Sequence, residues 1–134
     1  MIISIIGMGY IGLPTAAVLA SRGYNVVGVD LDQKVIDTIN EGNIHIVEPD
    51  LDMLVKSAVQ SGRLTAQTNP ANADIYIIAV PTPLKVNYEP DLSHVKSATK
   101  AIAPFLKKGN LVILESTSPV GITEKCIEWL KEER

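Results

Sequence analysis

The residues whose types and spacing carry chemistry are Gly7-Met8-Gly9-Tyr10-Ile11-Gly12 and, eighteen residues beyond Gly12, Asp30. In such a string the first glycine permits a sharp turn, and the second lets backbone N–H groups approach a pyrophosphate. The third lets a helix press against the strand before it. Phosphates then sit at the positive end of that helix. A carboxylate near this separation, at the end of the next strand, accepts hydrogen bonds from the adenosine ribose hydroxyls. Asp30 would also face the 2′-phosphate of NADP, and like-charge repulsion in a partly desolvated site makes NAD the expected cofactor. S-adenosylmethionine enzymes carry similar glycine turns, so the string needs its context: an apolar run at 2–6 before it, helix-prone residues 13–21 after it, and β-branched residues before Asp30.

Two further clusters follow apolar runs. Val80-Pro81-Thr82-Pro83 fixes the backbone with two prolines and leaves a hydroxyl near a strand tip. Glu115-Ser116-Thr117-Ser118-Pro119-Val120-Gly121 places hydroxyls between a buried run and a helix, with Thr117 at the tip before Pro119 turns the chain. Ordinary turn chemistry accounts for Thr82 equally well. Thr123 is an N-cap candidate lacking the acid of a capping box. Lys34, at a helix start, fits either a contact with a cofactor phosphate or ribose or a solvated charge. His45 and His94 have no ligand-like spacing, and no metal is expected.

The elements that must hold these groups alternate. Strands are predicted over 2–6, 25–30, 64–66, 75–80 and 111–114. Helices are predicted over 11–21, 33–41, 50–60, 92–106 and 121–133. Alternation of this kind is the sequence form of a Rossmann-type α/β fold: a doubly wound parallel sheet with helices on both faces. Its ligand lies at the carboxyl ends of the strands, which is where the glycine turn, Asp30 and the two hydroxyl clusters fall. No repeat or low-complexity linker divides residues 1–134, which read as one domain.

Composition excludes several classes. With 46% apolar residues and a net charge of −3, the chain has the balance of a soluble globular domain and no basic surplus for nucleic acid. The apolar start lacks a basic leader and is interrupted by Gly7 and Gly9, so neither a signal peptide nor a membrane span is expected, and the reading is cytoplasmic. The single cysteine, Cys126, excludes an internal disulfide, and its helical setting reads as a packed structural thiol.

Beyond the glycine turn, the strings GYIGLPTA at 9–16, GVD at 28–30, NIHIVEPDL at 43–51, IAVPTP at 78–83, EPDLS at 89–93 and ILESTSPVGITEK at 113–125 resemble the N-terminal domain of the UDP-sugar 6-dehydrogenases. The segments 43–51 and 114–121 are most similar to the branch acting on UDP-N-acetyl-D-mannosamine. The resemblance implies oxidation of a sugar C6 alcohol to a carboxylate, in nucleotide-sugar and surface-polysaccharide biosynthesis, with two NAD per turnover and a thiohemiacetal on a catalytic cysteine. It places Tyr10, Ile11, Asp30, Thr82 and Thr117 around NAD, with Thr123 beside them, and gives Thr117 a second role beside a water near the reacting carbon.

The family's catalytic cysteine, its oxyanion-stabilising lysine and asparagine, and nearly all of its sugar-nucleotide contacts lie beyond the segment that residues 1–134 resemble. Cys126 does not match the nucleophile motif. The expectation is an NAD-binding domain without the catalytic middle and C-terminal sugar-nucleotide domains, inactive alone, whose full-length form binds the UDP-sugar and is a homo-oligomer. A stand-alone NAD- or nucleotide-sensing regulatory module is the alternative. Against it stand the VPTP and ESTSPVG strings, because a sensor has no need of hydroxyls where nicotinamide and substrate would meet. A hydroxyacid dehydrogenase of the 6-phosphogluconate type shares the architecture but matches residues 43–51 poorly.

Overall fold

A computed structural model describes residues 1–133. The elements run β1 (Ile2–Ile6), α1 (Gly12–Ser21), β2 (Asn25–Val29), α2 (Gln33–Asn40), α3 (Leu51–Gln60), β3 (Leu64–Gln67), β4 (Ile75–Ile78), α4 (Ser93–Ile102), a 3₁₀ turn (Ala103–Phe105), β5 (Leu111–Leu114) and α5 (Ile122–Glu132). The strands form one sheet in the order β3-β2-β1-β4-β5. All neighbours are parallel, with Ile3 of β1 beside Val26 of β2 and Ile75 of β4. This is the Rossmann-type arrangement that the alternating pattern predicts.

Strand β1 reads as an almost continuous apolar run because both of its faces are covered. Ile3 and Ile5 pack into a core with Leu13 and Ala16 of α1, Ile36 of α2 and Val55 of α3. Ile6 faces the other way, into a core with Tyr76 and Ile78 of β4 and Ile102 of α4. Burying each isoleucine fully contributes about 1.5–3 kcal/mol. The small residues Ala16, Ala17 and Ala20 on one stripe of α1 let that helix lie close to the sheet. On the second face Val95, Ile122 and Cys126 join α4 to α5, and Lys100 of α4 pairs with Glu132 and Glu133 at 3.0 and 3.4 Å.

Several boundaries differ from the sequence reading. The strands predicted over 25–30 and 75–80 end at Val29 and Ile78, before the residues whose backbones turn toward the ligand end. The helix predicted over 92–106 breaks after Ile102 into a 3₁₀ turn containing Pro104, which has no N–H to continue the helical ladder. Thr123 is not the cap of α5: the N-cap is Gly121, with φ 93°, and Thr123 is the second helical residue. Asp32 caps α2, its carboxylate accepting from the Lys34 backbone N–H at 2.9 Å, a role that the sequence reading missed. Before α4 the Asp91 carboxyl is held below its usual range, first by the Ser93 backbone N–H and then by the Ser93 hydroxyl.

Candidate functional site

With every strand parallel, all carboxyl tips lie at one end, and the chain order reverses between β1 and β4. A crevice opens there. The glycine turn bridging β1 and α1 forms its floor. Gly7 has φ 99°, and a Cβ on it would stand 2.8 Å from the Ala79 carbonyl oxygen beyond β4. Gly12 is tighter still, since a Cβ there would overlap the Gly7 carbonyl, so α1 begins in contact with the turn. At Gly9 the situation is opposite: a Cβ would meet no protein atom within 4 Å. The middle glycine therefore faces open space, as a backbone that receives a ligand must.

The turn is held from below. Gly7 N–H donates to the Val29 carbonyl at 2.7 Å, and Met8 N–H donates to Asp30 Oδ2 at 3.0 Å. Asp30 Oδ1 accepts from Asp32 N–H at 3.0 Å. Each oxygen keeps acceptor capacity for a ligand hydroxyl. The Met8 side chain is completely buried over Gly28, where a Cβ would stand 2.7 Å from its sulfur. Above the turn, α1 starts without a side-chain cap and without an acidic residue in its first turn, which leaves its positive end to a ligand anion. Pro14 in that turn needs no N–H partner, because the first helical N–H groups have none within the helix.

The resulting cleft has a volume of about 640 Å³, within the range of small-molecule sites. Gly7, Gly9, Tyr10, Ile11 and Asp30 line it, as do Ala79, Val80 and Pro81. Thr68, Asn69 and Pro70 after β3 form one end, and His94, Ser97, Ala98 and Ala101 present one face of α4 as a wall. A smaller cavity of about 220 Å³ lies between the C-terminal end of α1 and α3, away from these tips.

The hydroxyl clusters form a second region beside the cleft. Ser116 Oγ donates to the Val80 carbonyl at 2.8 Å, Thr82 Oγ1 to the Thr117 carbonyl at 2.6 Å, and Ser118 Oγ to the Ser116 carbonyl at 3.1 Å. The tips of β4 and β5 are thus stitched together by their own side chains. Thr117 is exposed, and its hydroxyl has no hydrogen-bond partner among the described residues. One more bond reaches across from α1: Thr15 Oγ1 donates to Glu115 Oε1 at 2.8 Å.

Of the residues singled out by sequence, Gly7, Gly9, Tyr10, Ile11 and Asp30 share the cleft, while Gly12 is buried behind it. Thr82 and Thr117 meet each other outside its lining. Lys34 and Thr123 are exposed near helix starts and do not line it. The sequence reading overlooked the tip after β3 and the α4 face. A Thr-Asn-Pro turn directly after a predicted strand was the available signal for the first. His94, considered only as a metal ligand, was the signal for the second.

Residues 1–134 match the UDP-glucose/GDP-mannose dehydrogenase family, NAD binding domain. The chain belongs to this family. It is 64% identical to the UDP-N-acetyl-D-mannosamine dehydrogenase of Escherichia coli K12 over 98% of this chain and 31% of that protein. It is 61% identical, with the same coverage, to the NDP-N-acetyl-D-galactosaminuronic acid dehydrogenase of Ralstonia nicotianae. The UDP-D-ManNAc dehydrogenase structure from Pyrococcus horikoshii superposes with a TM-score of 0.94 at 42% identity, over 99% of this chain and 32% of that one. The chain thus spans about a third of the length of these relatives. As this family's NAD-binding domain it takes NAD, and the open Gly9 backbone, the uncapped α1 and the Asp30 carboxylate fit that cofactor. Among the described residues no helix is long and apolar enough to cross a membrane.

Proposed function

We propose that residues 1–134 are the NAD-binding part of a nucleotide-sugar 6-dehydrogenase whose substrate is a UDP-N-acetylhexosamine, with UDP-N-acetyl-D-mannosamine the first choice. The identity to the Escherichia coli enzyme named for that sugar carries this reading. The catalytic cysteine and the sugar-nucleotide pocket belong to parts of such an enzyme outside residues 1–134. The parent enzyme is cytoplasmic and homo-oligomeric on this reading.

Bound NAD supplies a hydride acceptor. The chain's own residues bind and orient it. N–H groups of the glycine turn and the start of α1 receive the pyrophosphate, and Asp30 receives the adenosine ribose. Tyr10 and Ile11 line the approach between the two halves of the crevice. Thr117, whose hydroxyl the stitching leaves free, stands where it can hold a water near the reacting carbon, and Thr82 holds the Thr117 backbone in place. Lys34 and Thr123 have weaker claims, because neither reaches the cleft.

Calorimetric titration of the chain with NAD and with NADP tests the cofactor half, and incubation with NAD and UDP-N-acetyl-D-mannosamine tests the division of labour. Saturable binding that favours NAD, with no NADH formed, is expected. A folded chain that binds neither cofactor, or one that oxidises the sugar unaided, overturns the proposal.

A further inference from the structure

Glu115 is a carboxylate that its surroundings leave without a cation. It is half-buried at the carboxyl tip of β5, and among the described residues the ion pairs involve only Lys100, Glu132 and Glu133. One of its oxygens accepts the Thr15 hydroxyl at 2.8 Å, a bond that a neutral amide could accept equally well. Thr15 lies one helical turn beyond Ile11, which lines the cleft. The bond therefore fixes a negative charge between the start of α1 and the tip of β5, next to Ser116 and Thr117.

A dinucleotide lies across the crevice with one half on each side of the strand reversal. Asp30 marks the adenosine side, over β1 and β2. The nicotinamide half then lies over β4 and β5, on the side where Glu115 is held. The two redox states of that half differ in charge, since the oxidised ring is a cation and the reduced ring is neutral. Glu115 stands beside the cleft and not in its lining, and a fixed, half-buried carboxylate there attracts the first and not the second. Such a bias suits an oxidation that consumes two NAD, because reduced cofactor must leave before the second can enter.

We infer that Glu115, positioned by Thr15, is a specificity-determining residue that makes this domain prefer oxidised over reduced nicotinamide cofactor. The inference rests on the NAD-binding reading above and adds to it the sorting of redox states. It assigns Glu115 no part in bond making.

The test titrates the chain separately with NAD⁺, NADH and ADP-ribose. Glu115→Gln keeps an acceptor for Thr15 and removes the charge. The ratio of the NADH to the NAD⁺ dissociation constant should fall about fivefold or more, while ADP-ribose affinity stays within about twofold. Thr15→Val leaves the charge but frees it to move, and should lower the ratio by about twofold. A purely structural role would weaken all three ligands together, so an unchanged ratio in a folded Glu115→Gln chain overturns the inference. If that variant does not fold, the wild-type ratio is measured against salt concentration. A ratio that falls toward one as salt screens the charge supports the inference, and a salt-independent ratio overturns it. Failure of the wild-type chain to bind even ADP-ribose overturns the underlying cofactor reading instead, whereas ADP-ribose binding with equal NAD⁺ and NADH affinities defeats this inference alone.

Discussion

The two sides of the crevice are built differently. On the β1–β2 side, a buried methionine, a backbone bond from Gly7 and the Asp30 carboxylate hold a glycine turn from beneath, and a cleft stands open above it. On the β4–β5 side, the Ser116 and Thr82 hydroxyls join the two tips, the Ser118 hydroxyl braces the β5 tip internally, and apolar residues nearby stand in solvent, among them Val86 at 101% exposure and Val120 at 106%. The first side is pre-organised by packing. The second is a pair of loops braced against each other, with one free hydroxyl at Thr117. The proposed function divides along this line, with adenosine and pyrophosphate assigned to the first side and the reacting end to the second.

This contrast can be broken first at the glycines. Gly12→Ala should cost the most, since its Cβ must displace the Gly7 carbonyl, which is backbone and cannot swing aside. A stability loss of about 3 kcal/mol or more in urea melts is expected, at the upper end of single-substitution effects. Near-native stability would mean that α1 and the turn are not in forced contact. Gly9→Val should do the reverse: melting changes by about 1 kcal/mol or less, while NAD affinity drops at least about a hundredfold. Retained affinity would show that no ligand backbone passes over Gly9.

Asp30 sharpens the comparison because it both lines the cleft and holds the turn. Asp30→Ala should weaken NAD about tenfold and narrow its preference over NADP. Repeating the titration with ADP and with 2′,3′-dideoxy-ADP separates the two roles. A penalty that persists without ribose hydroxyls is expected, because Met8 N–H loses its acceptor. A penalty confined to ADP would reduce Asp30 to a ribose contact. The smallest effect should come from Thr82→Val, which removes one exposed brace and should cost about 0.5–1.5 kcal/mol with ADP-ribose binding unchanged. Weakened ADP-ribose binding would mean that the two sides of the crevice are coupled.

The legible parts of this molecule share a local cause. A β-branched apolar run, a glycine turn and a stripe of alanines each act on their nearest neighbours in the chain. The strands, the helices and the order of elements could therefore be read directly, and so could the roles of Gly7 and Gly12. The place of Asp30 in the cleft was legible because its separation from the turn is set by one helix and one strand. Its bond to Met8 was not, since the partner is a backbone N–H that carries no residue signature. His94 and Ser97 reach the cleft only because α4 folds back over β4, more than eighty residues from the glycine turn in sequence. Helical periodicity marks which face of α4 is apolar but not which residues at its margin see the ligand.

By itself the sequence determined the fold class, the cofactor turn and the kinship with the UDP-sugar dehydrogenases, because these depend on short-range patterns of residue size, backbone freedom and hydrophobic period. Tertiary structure alone decided that Thr82 braces Thr117, that Lys34 points to no cleft, and that Thr15 and Glu115 meet across 100 residues. Those outcomes depend on how parallel strands stack in register, which brings together side chains whose separation in the chain contains no record of the contact.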